Sequence, residues 1–355
     1  KADEYRQGYT TIGQLVMDID EINMNIIIEA CNDMTLFTDI KIAFTPDRNV
    51  VIFPCTFYVP RLTIAFIHYY NFMSTINTEE QWFTEKCSES GSAFSLEINH
   101  RLHEEQSPYQ KIEVYSTKHF GNLLVIDGFI MLSSKDNFIY HEMMSHPVLF
   151  SHIQPSHVVI VGGGDCGTLQ QVAKHDCVKK ITQVEIDERV TRISENYFPE
   201  LASANNDPRV NFEFTDAIEW IKSADPQSID IIIIDSTDPV GPARGLFQKS
   251  FFESCHRALT HDGLIIQQSE SPLLHWQSIT RPMREEMKAG GFNGIKTLMF
   301  PQPVYPSGWW SATMAAKKDI HLIRDREARN LAFTTQYYNY DIHLAAFATP
   351  EFMHD

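Results

Sequence analysis

From residue 158 onward the chain alternates short, uninterrupted Val/Ile runs with stretches of helical spacing, and no other feature restricts the fold as much. The runs cover residues 158–161, 181–186, 210–214, 229–234 and 264–268, and helices fit between them, as at 189–197 and 251–259. Strands that lack polar alternation are buried on both faces. The pattern therefore predicts a parallel sheet covered by helices, a doubly wound Rossmann-like α/β fold. Residues 309–315 predict one further strand.

Two regions of different texture precede this one. Residues 81–147 read as a small β-strand domain. Lys111-Ile112-Glu113-Val114-Tyr115 alternates as a half-buried strand does. The apolar run 122–126 ends at Asp127-Gly128, a hairpin dipeptide. After Asp136 the spacing turns helical, over residues 138–150. Residues 1–80 read as an α+β region, with strands at 14–19, 25–29, 39–44 and 49–53 and a helix at 62–73. The expected domains are thus 1–80, 81–147 and 148–355.

The formal charge is −17, from 46 acidic and 29 basic residues. Such a surface repels nucleic acid and anionic membrane, because binding either needs cationic side chains. Cationic ligands suit it. The most apolar stretch, 50–67, contains Pro54, Pro60 and Arg61 and makes a poor membrane span. Six cysteines are scattered without CxxC or zinc-ligand spacing, which fits reduced thiols in a cytoplasmic protein without a structural metal.

The first strand runs into Gly162-Gly163-Gly164-Asp165-Cys166-Gly167, which has GxGxxG spacing between a strand and a helix. Glycines there allow a tight turn and close approach of a ligand to backbone. Glu185, at the end of the next strand, can accept from both hydroxyls of a ribose. NAD and an S-adenosyl compound both fit this layout. Asp165 separates them: its charge repels a pyrophosphate and suits a sulfonium or an amine. It also disfavours the carboxylate of S-adenosylmethionine, so the decarboxylated donor is preferred.

Asp216-Ala217 follows the third strand, where a carboxylate reads an adenine amine or caps a helix; spacing alone favours the cap. The segment Ile231-Ile232-Ile233-Ile234-Asp235-Ser236-Thr237-Asp238-Pro239 sets two acids at a strand's carboxyl end, where open α/β sheets place ligands. Paired carboxylates bind a diammonium, and one can act as a base. Turn formation and magnesium binding remain alternatives at this point.

In order and spacing, these pieces resemble the spermidine synthase family. So do Ser107-Pro108-Tyr109-Gln110, Phe120-Gly121-Asn122, Tyr140-His141-Glu142-Met143, Tyr305-Pro306-Ser307-Gly308 and the closing Ala345-Ala346-Phe347. The resemblance spans residues 80–355. It implies aminopropyl transfer from decarboxylated S-adenosylmethionine to a diamine, putrescine above all, in a homodimer or larger homo-oligomer without a prosthetic group. It implies that Gln110, Glu185, Asp216, Ala217 and Pro242 hold the methylthioadenosine part of the donor, beside Gly162 and Gly164. Asp165 would hold the aminopropyl ammonium. His141 and Asp238 would bind the diamine, Tyr140 and Tyr305 would line its channel, and Asp235 would be the base.

Three residues depart from the family pattern: Cys166 where Gly is commoner, Met131 where many members carry Gln, and Asn137 where Glu is usual. A diamine N-methyltransferase, a dehydrogenase using NAD and a non-catalytic polyamine-binding protein are the rival readings. Residues 1–80 carry no Ser-His processing motif, so a dimerisation or regulatory role is expected there.

Overall fold

The computed structural model describes residues 82–239 and 241–354, without the side chains of Gly241 and Pro242, and before residue 80 the backbone pairing of five short strands. The chain divides into two compact units, Lys1–Glu80 and Gln81–Asp355. In the first unit β1 (Tyr9–Thr10) pairs with β5 (Phe57–Tyr58). A second sheet has the order β2 (Val16–Asp18), β4 (Arg48–Ile52), β3 (Lys41–Thr45), all antiparallel. The expected strand at 25–29 and helix at 62–73 lie outside the described residues.

The second unit opens with an antiparallel five-stranded sheet of order β10-β9-β8-β7-β6. Its strands are β6 (Trp82–Cys87), β7 (Ser92–Gln106), β8 (Lys111–Thr117), β9 (Asn122–Ile126) and β10 (Phe129–Ser133). Asp127, at φ 50, and Gly128, at φ 87, form the turn between the last two, as the Asp-Gly pair requires.

Seven strands form the main sheet, in the order β13-β12-β11-β14-β15-β17-β16. They are β11 (His157–Gly162), β12 (Lys180–Glu185), β13 (Val210–Phe214), β14 (Ile229–Asp235), β15 (Leu259–Gln268), β16 (Gly294–Pro301) and β17 (Trp309–Ala316). The first five are parallel, and β17 and β16 close one edge antiparallel. Ile231 and Ile233 pack into the core on one face, Ile232 and Ile234 into that on the other. All four are fully buried, each stabilising the sheet by roughly 1.5–3 kcal/mol. The direction of winding reverses between β11 and β14, and their carboxyl ends there form the crevice where such sheets bind ligands.

The helices that shape the crevice are α1 (Asn137–Phe150), α2 (Gly167–Ala173), α3 (Glu188–Tyr197), α4 (Ala217–Ser223) and α5 (Lys249–Ala258). Of α1, every residue but Phe138 is buried. Successive residues on a helix point about 100° apart, so Tyr140, His141 and Glu142 face three directions, and each needs its own polar partner. Glu142 finds three: its carboxylate accepts from the backbone N–H groups of Gln336, Tyr337 and Tyr338 at 2.8, 2.9 and 2.7 Å. The C-terminal segment is thereby tied to the helix that carries Tyr140 and His141. Glu142→Ala orphans these donors and is expected to lower unfolding stability by about 3 kcal/mol, read as a reduced urea midpoint.

Candidate active site

Strand register builds the site. Gly162 lies opposite Asp235 at the ends of β11 and β14. Gly163 N–H donates to the Asp235 carbonyl at 2.7 Å. Gly162 has φ +78, and a Cβ there would sit 2.3 Å from that same carbonyl oxygen, so only glycine lets the two strand ends meet. Cys166 departs from glycine at a position that does need a left-handed backbone: its φ is 69. The strain is roughly 1–2 kcal/mol. Its thiol is buried, and burial pushes the pKa up, so the sulfur is inert.

Two residues of α1 reach the loop and the strand end. His141 Nε2 lies 3.1 Å from Asp165 Oδ1, which also accepts from Gly167 N–H at 2.7 Å. Burial disfavours the imidazolium, but the carboxylates of Asp165, Asp235 and Glu142 outweigh it and raise the His141 pKa. Burial would lift Asp165 in turn; His141 and the Gly167 N–H overcome this and hold it low. Both bonds fall on Oδ1, which leaves Oδ2 for a ligand. Gly167 has no room for a side chain either, since a Cβ would lie 2.1 Å from the His141 ring.

Asp235 is 9% exposed. Its Oδ1 accepts from the Tyr140 hydroxyl and its Oδ2 from the Thr168 hydroxyl, both at 2.6 Å. Burial, then the nearby charge of Asp165, raises its pKa. Tyr140 stands edge-on to Tyr305, ring centroids 5.9 Å apart, and Tyr305 donates to the Met131 carbonyl. Asn137, the third departure, donates to the carbonyls of Ser133 and Ser134 and stays out of the cleft.

On the other side of the loop, burial pushes Glu185 up to about 7, although it accepts from Asp187 N–H at 2.9 Å. Asp187 caps α3 and also accepts from the Ser107 hydroxyl and the Gln110 amide, at 2.6 and 3.0 Å. It thus latches the loop before β8 onto the main sheet. Asp216 caps α4, accepting from Ile218 N–H at 2.8 Å, as spacing favoured.

A third group of acids sits around Asp238. Glu270 is 1% exposed, and burial, then the charge of Asp238, raises its pKa well above the usual range. Glu85 of β6 accepts from Ile130 N–H at 2.7 Å; burial above all, with a further push from Asp238, takes it up to about 7. Among the described residues, no Lys or Arg pairs with Glu85 or Glu270. The three carboxyls are arranged to take up positive charge.

One cleft of about 270 Å³ runs past the glycine loop, the Asp235 strand end and Asp238, whereas Glu85 and Glu270 are buried and do not line it. Gln110, Gly162, Gly164, Asp165, Glu185, Asp216, Ala217, Tyr140, Asp235, Asp238 and Tyr305 all line it, as does Met131. His141 does not: it is 1% exposed and stands behind Asp165. The Pro242 side chain lies outside the described residues.

Sequence reasoning missed Thr168, Glu85 and Glu270, and gave Asp187 no role beyond its place in the strand-end motif. Glu270 had a usable signal, since it follows the carboxyl end of β15, two residues past Gln268. Glu85 had none, because nothing local brings β6 to the main sheet's crevice.

The chain resembles known proteins over most of its length. A family model described as the spermine/spermidine synthase domain matches residues 137–324, and one described as the spermidine synthase tetramerisation domain matches 81–134. The latter falls on the five-stranded sheet. The polyamine aminopropyltransferase of Nitrosococcus oceani is 58% identical over 272 residues, 77% of this chain and 95% of that one. That of Methylococcus capsulatus is 56% identical over 276 residues, 78% and 96% of the two chains. Among solved structures, spermidine synthase in complex with the transition state analogue AdoDATO has a TM-score of 0.73 at 31% identity, covering 77% of this chain and 94% of that one. Spermidine synthase from Thermotoga maritima has a TM-score of 0.72 at 31% identity, covering 77% and 93%. A glycine loop facing a row of buried and half-buried acids, with matches of this extent, leads to one assignment: the chain belongs to the spermine/spermidine synthase family and is a transferase, a polyamine aminopropyltransferase.

Proposed function

We propose that the chain transfers the aminopropyl group of decarboxylated S-adenosylmethionine to putrescine, giving spermidine and 5'-methylthioadenosine. The observation that carries this is the row of carboxyls Asp165, Asp235 and Asp238 along one cleft, beside the glycine loop. Glu185 takes the donor's ribose, while Gln110, Asp216, Ala217 and Pro242 flank its base. Oδ2 of Asp165 takes the aminopropyl ammonium, with His141 as the cation behind it. Residues 81–134 make the homo-oligomer contacts, consistent with the tetramerisation match. The protein works in the cytoplasm, and among the described residues no helix is long and apolar enough to cross a membrane.

The acceptor's far ammonium sits among Asp238, Glu85 and Glu270, and its near amine faces Asp235. That amine has a pKa near 10, so freeing its lone pair at pH 7 costs roughly 4 kcal/mol. A fixed carboxylate charge alone would stabilise the ammonium. Burial raises Asp235 and narrows the gap, so a proton can pass from the amine to Asp235. The lone pair then attacks the carbon beside the sulfonium. The C–N bond forms, the C–S bond breaks, and its electron pair stays on sulfur as a neutral thioether. Tyr140 and Tyr305 align the chain for in-line displacement.

Incubation with the decarboxylated donor and a panel of putrescine, cadaverine and longer polyamines tests this by product mass. Putrescine should give the fastest gain of one aminopropyl unit; gain of a methyl group with the intact donor, or polyamine binding without product, would replace the reading. A pH effect follows as well. Glu85 ionises as the pH rises through about 7, and an ammonium binds the ionised form. At saturating donor, KM for putrescine should therefore fall several-fold across that range and flatten in Glu85→Gln. A wild-type KM independent of pH would contradict the acceptor-end placement.

A further inference from the structure

Thr168 has no role in the reading above, yet its side chain is fully buried against Asp235. It stands in the first turn of α2, one residue past the glycine loop. Its hydroxyl donates to Asp235 Oδ2 at 2.6 Å, and its own carbonyl accepts from the Ser145 hydroxyl at 3.4 Å. The same Oδ2 is walled by the loop: a Cβ on Gly163 would come within 3.0 Å of it. Oδ2 is thus turned into protein, and Oδ1, which accepts from Tyr140, is the oxygen left for the cleft.

We propose that Thr168 is a positioning residue for the transfer: its hydroxyl fixes the Asp235 carboxylate so that Oδ1 faces the acceptor amine. This rests on Asp235 being the base. It also couples the base to the donor site, because the turn that holds Thr168 continues from the loop that carries Asp165. A hydroxyl donating to a carboxylate favours its ionised form. The other groups bearing on Asp235 are Asp165 from the loop, His141 and Tyr140 from α1, and Tyr305 from the turn after β16. None of these is a neutral donor from the α2 side, as Thr168 is.

The test is the pH profile of kcat in Thr168→Val and Thr168→Ser. Thr168→Val should move the acidic limb up by about one pH unit, the size expected for one hydrogen bond to a charged group. Its plateau kcat should fall about tenfold, with KM for the donor unchanged. Thr168→Ser, which keeps the donor, should restore both. Thr168→Ala removes the same donor without bulk and must show the same shift, so poor folding of the valine variant does not shelter the idea. A limb that coincides with wild type in the alanine variant overturns the proposal. If wild type transfers no aminopropyl group, the proposed function fails instead. If wild type is active and Asp235→Asn keeps its acidic limb, the base assignment fails.

Discussion

Asp235→Asn is expected to lower kcat by about a thousandfold while 5'-methylthioadenosine binds as it does to wild type. Without the carboxylate, the acceptor amine must be recruited in its rare neutral form, and a cost of roughly 4 kcal/mol corresponds to about three orders of magnitude. That lies within the range for general base catalysis. Asn keeps the shape, and the hydroxyls of Tyr140 and Thr168 can turn to suit an amide. The fold should therefore survive, since Asp235's backbone bond to Gly163 is untouched. The residual rate should lose its acidic limb and climb with pH as free amine accumulates. Steady-state kinetics across pH, with calorimetry for the nucleoside, measures both. Near-normal turnover would remove Asp235 from the chemistry.

Asp165→Asn should reduce kcat/KM for the decarboxylated donor by about a hundredfold, the scale of losing one buried, charge-assisted contact. The same change removes the charge that rejects a carboxylate, so preference over intact S-adenosylmethionine should shrink. 5'-Methylthioadenosine, which lacks the aminopropyl ammonium, should bind almost as before, and that separates a lost contact from a damaged site. His141 responds too. Asp165 is the carboxylate that does most to raise its pKa, so in the variant the imidazole should titrate lower, visible by NMR. Unchanged discrimination between the two donors would contradict the role given to Asp165.

The parallel sheet was legible because its strands are buried on both faces and so carry continuous Val/Ile runs. The first part of β15 was not: Thr260-His261-Asp262-Gly263 reads as a turn, yet it belongs to Leu259–Gln268. Nor was β16, an edge strand in which Lys296 and Thr297 interrupt the apolar pattern. In the cleft, residues next to one another in sequence or at a strand's carboxyl end were readable: Asp165, Glu185, Asp235 and Asp238. Those that reach it across the fold were not. Thr168 looks like any helix residue until the loop turns it onto Asp235, and Glu85 feels the charge of Asp238 from β6, a strand of the other sheet. His141 shows the reverse case. Its position was expected beside the diamine, but packing sets it behind Asp165, where it acts on the site through charge.

A competition between donors addresses the central claim directly. Putrescine is incubated with the full chain and an equimolar mixture of decarboxylated and intact S-adenosylmethionine, and the products are weighed. Spermidine with 5'-methylthioadenosine should account for the products, and that exclusivity should weaken in Asp165→Asn. Methylated putrescine with S-adenosylhomocysteine from the wild-type chain would contradict the account.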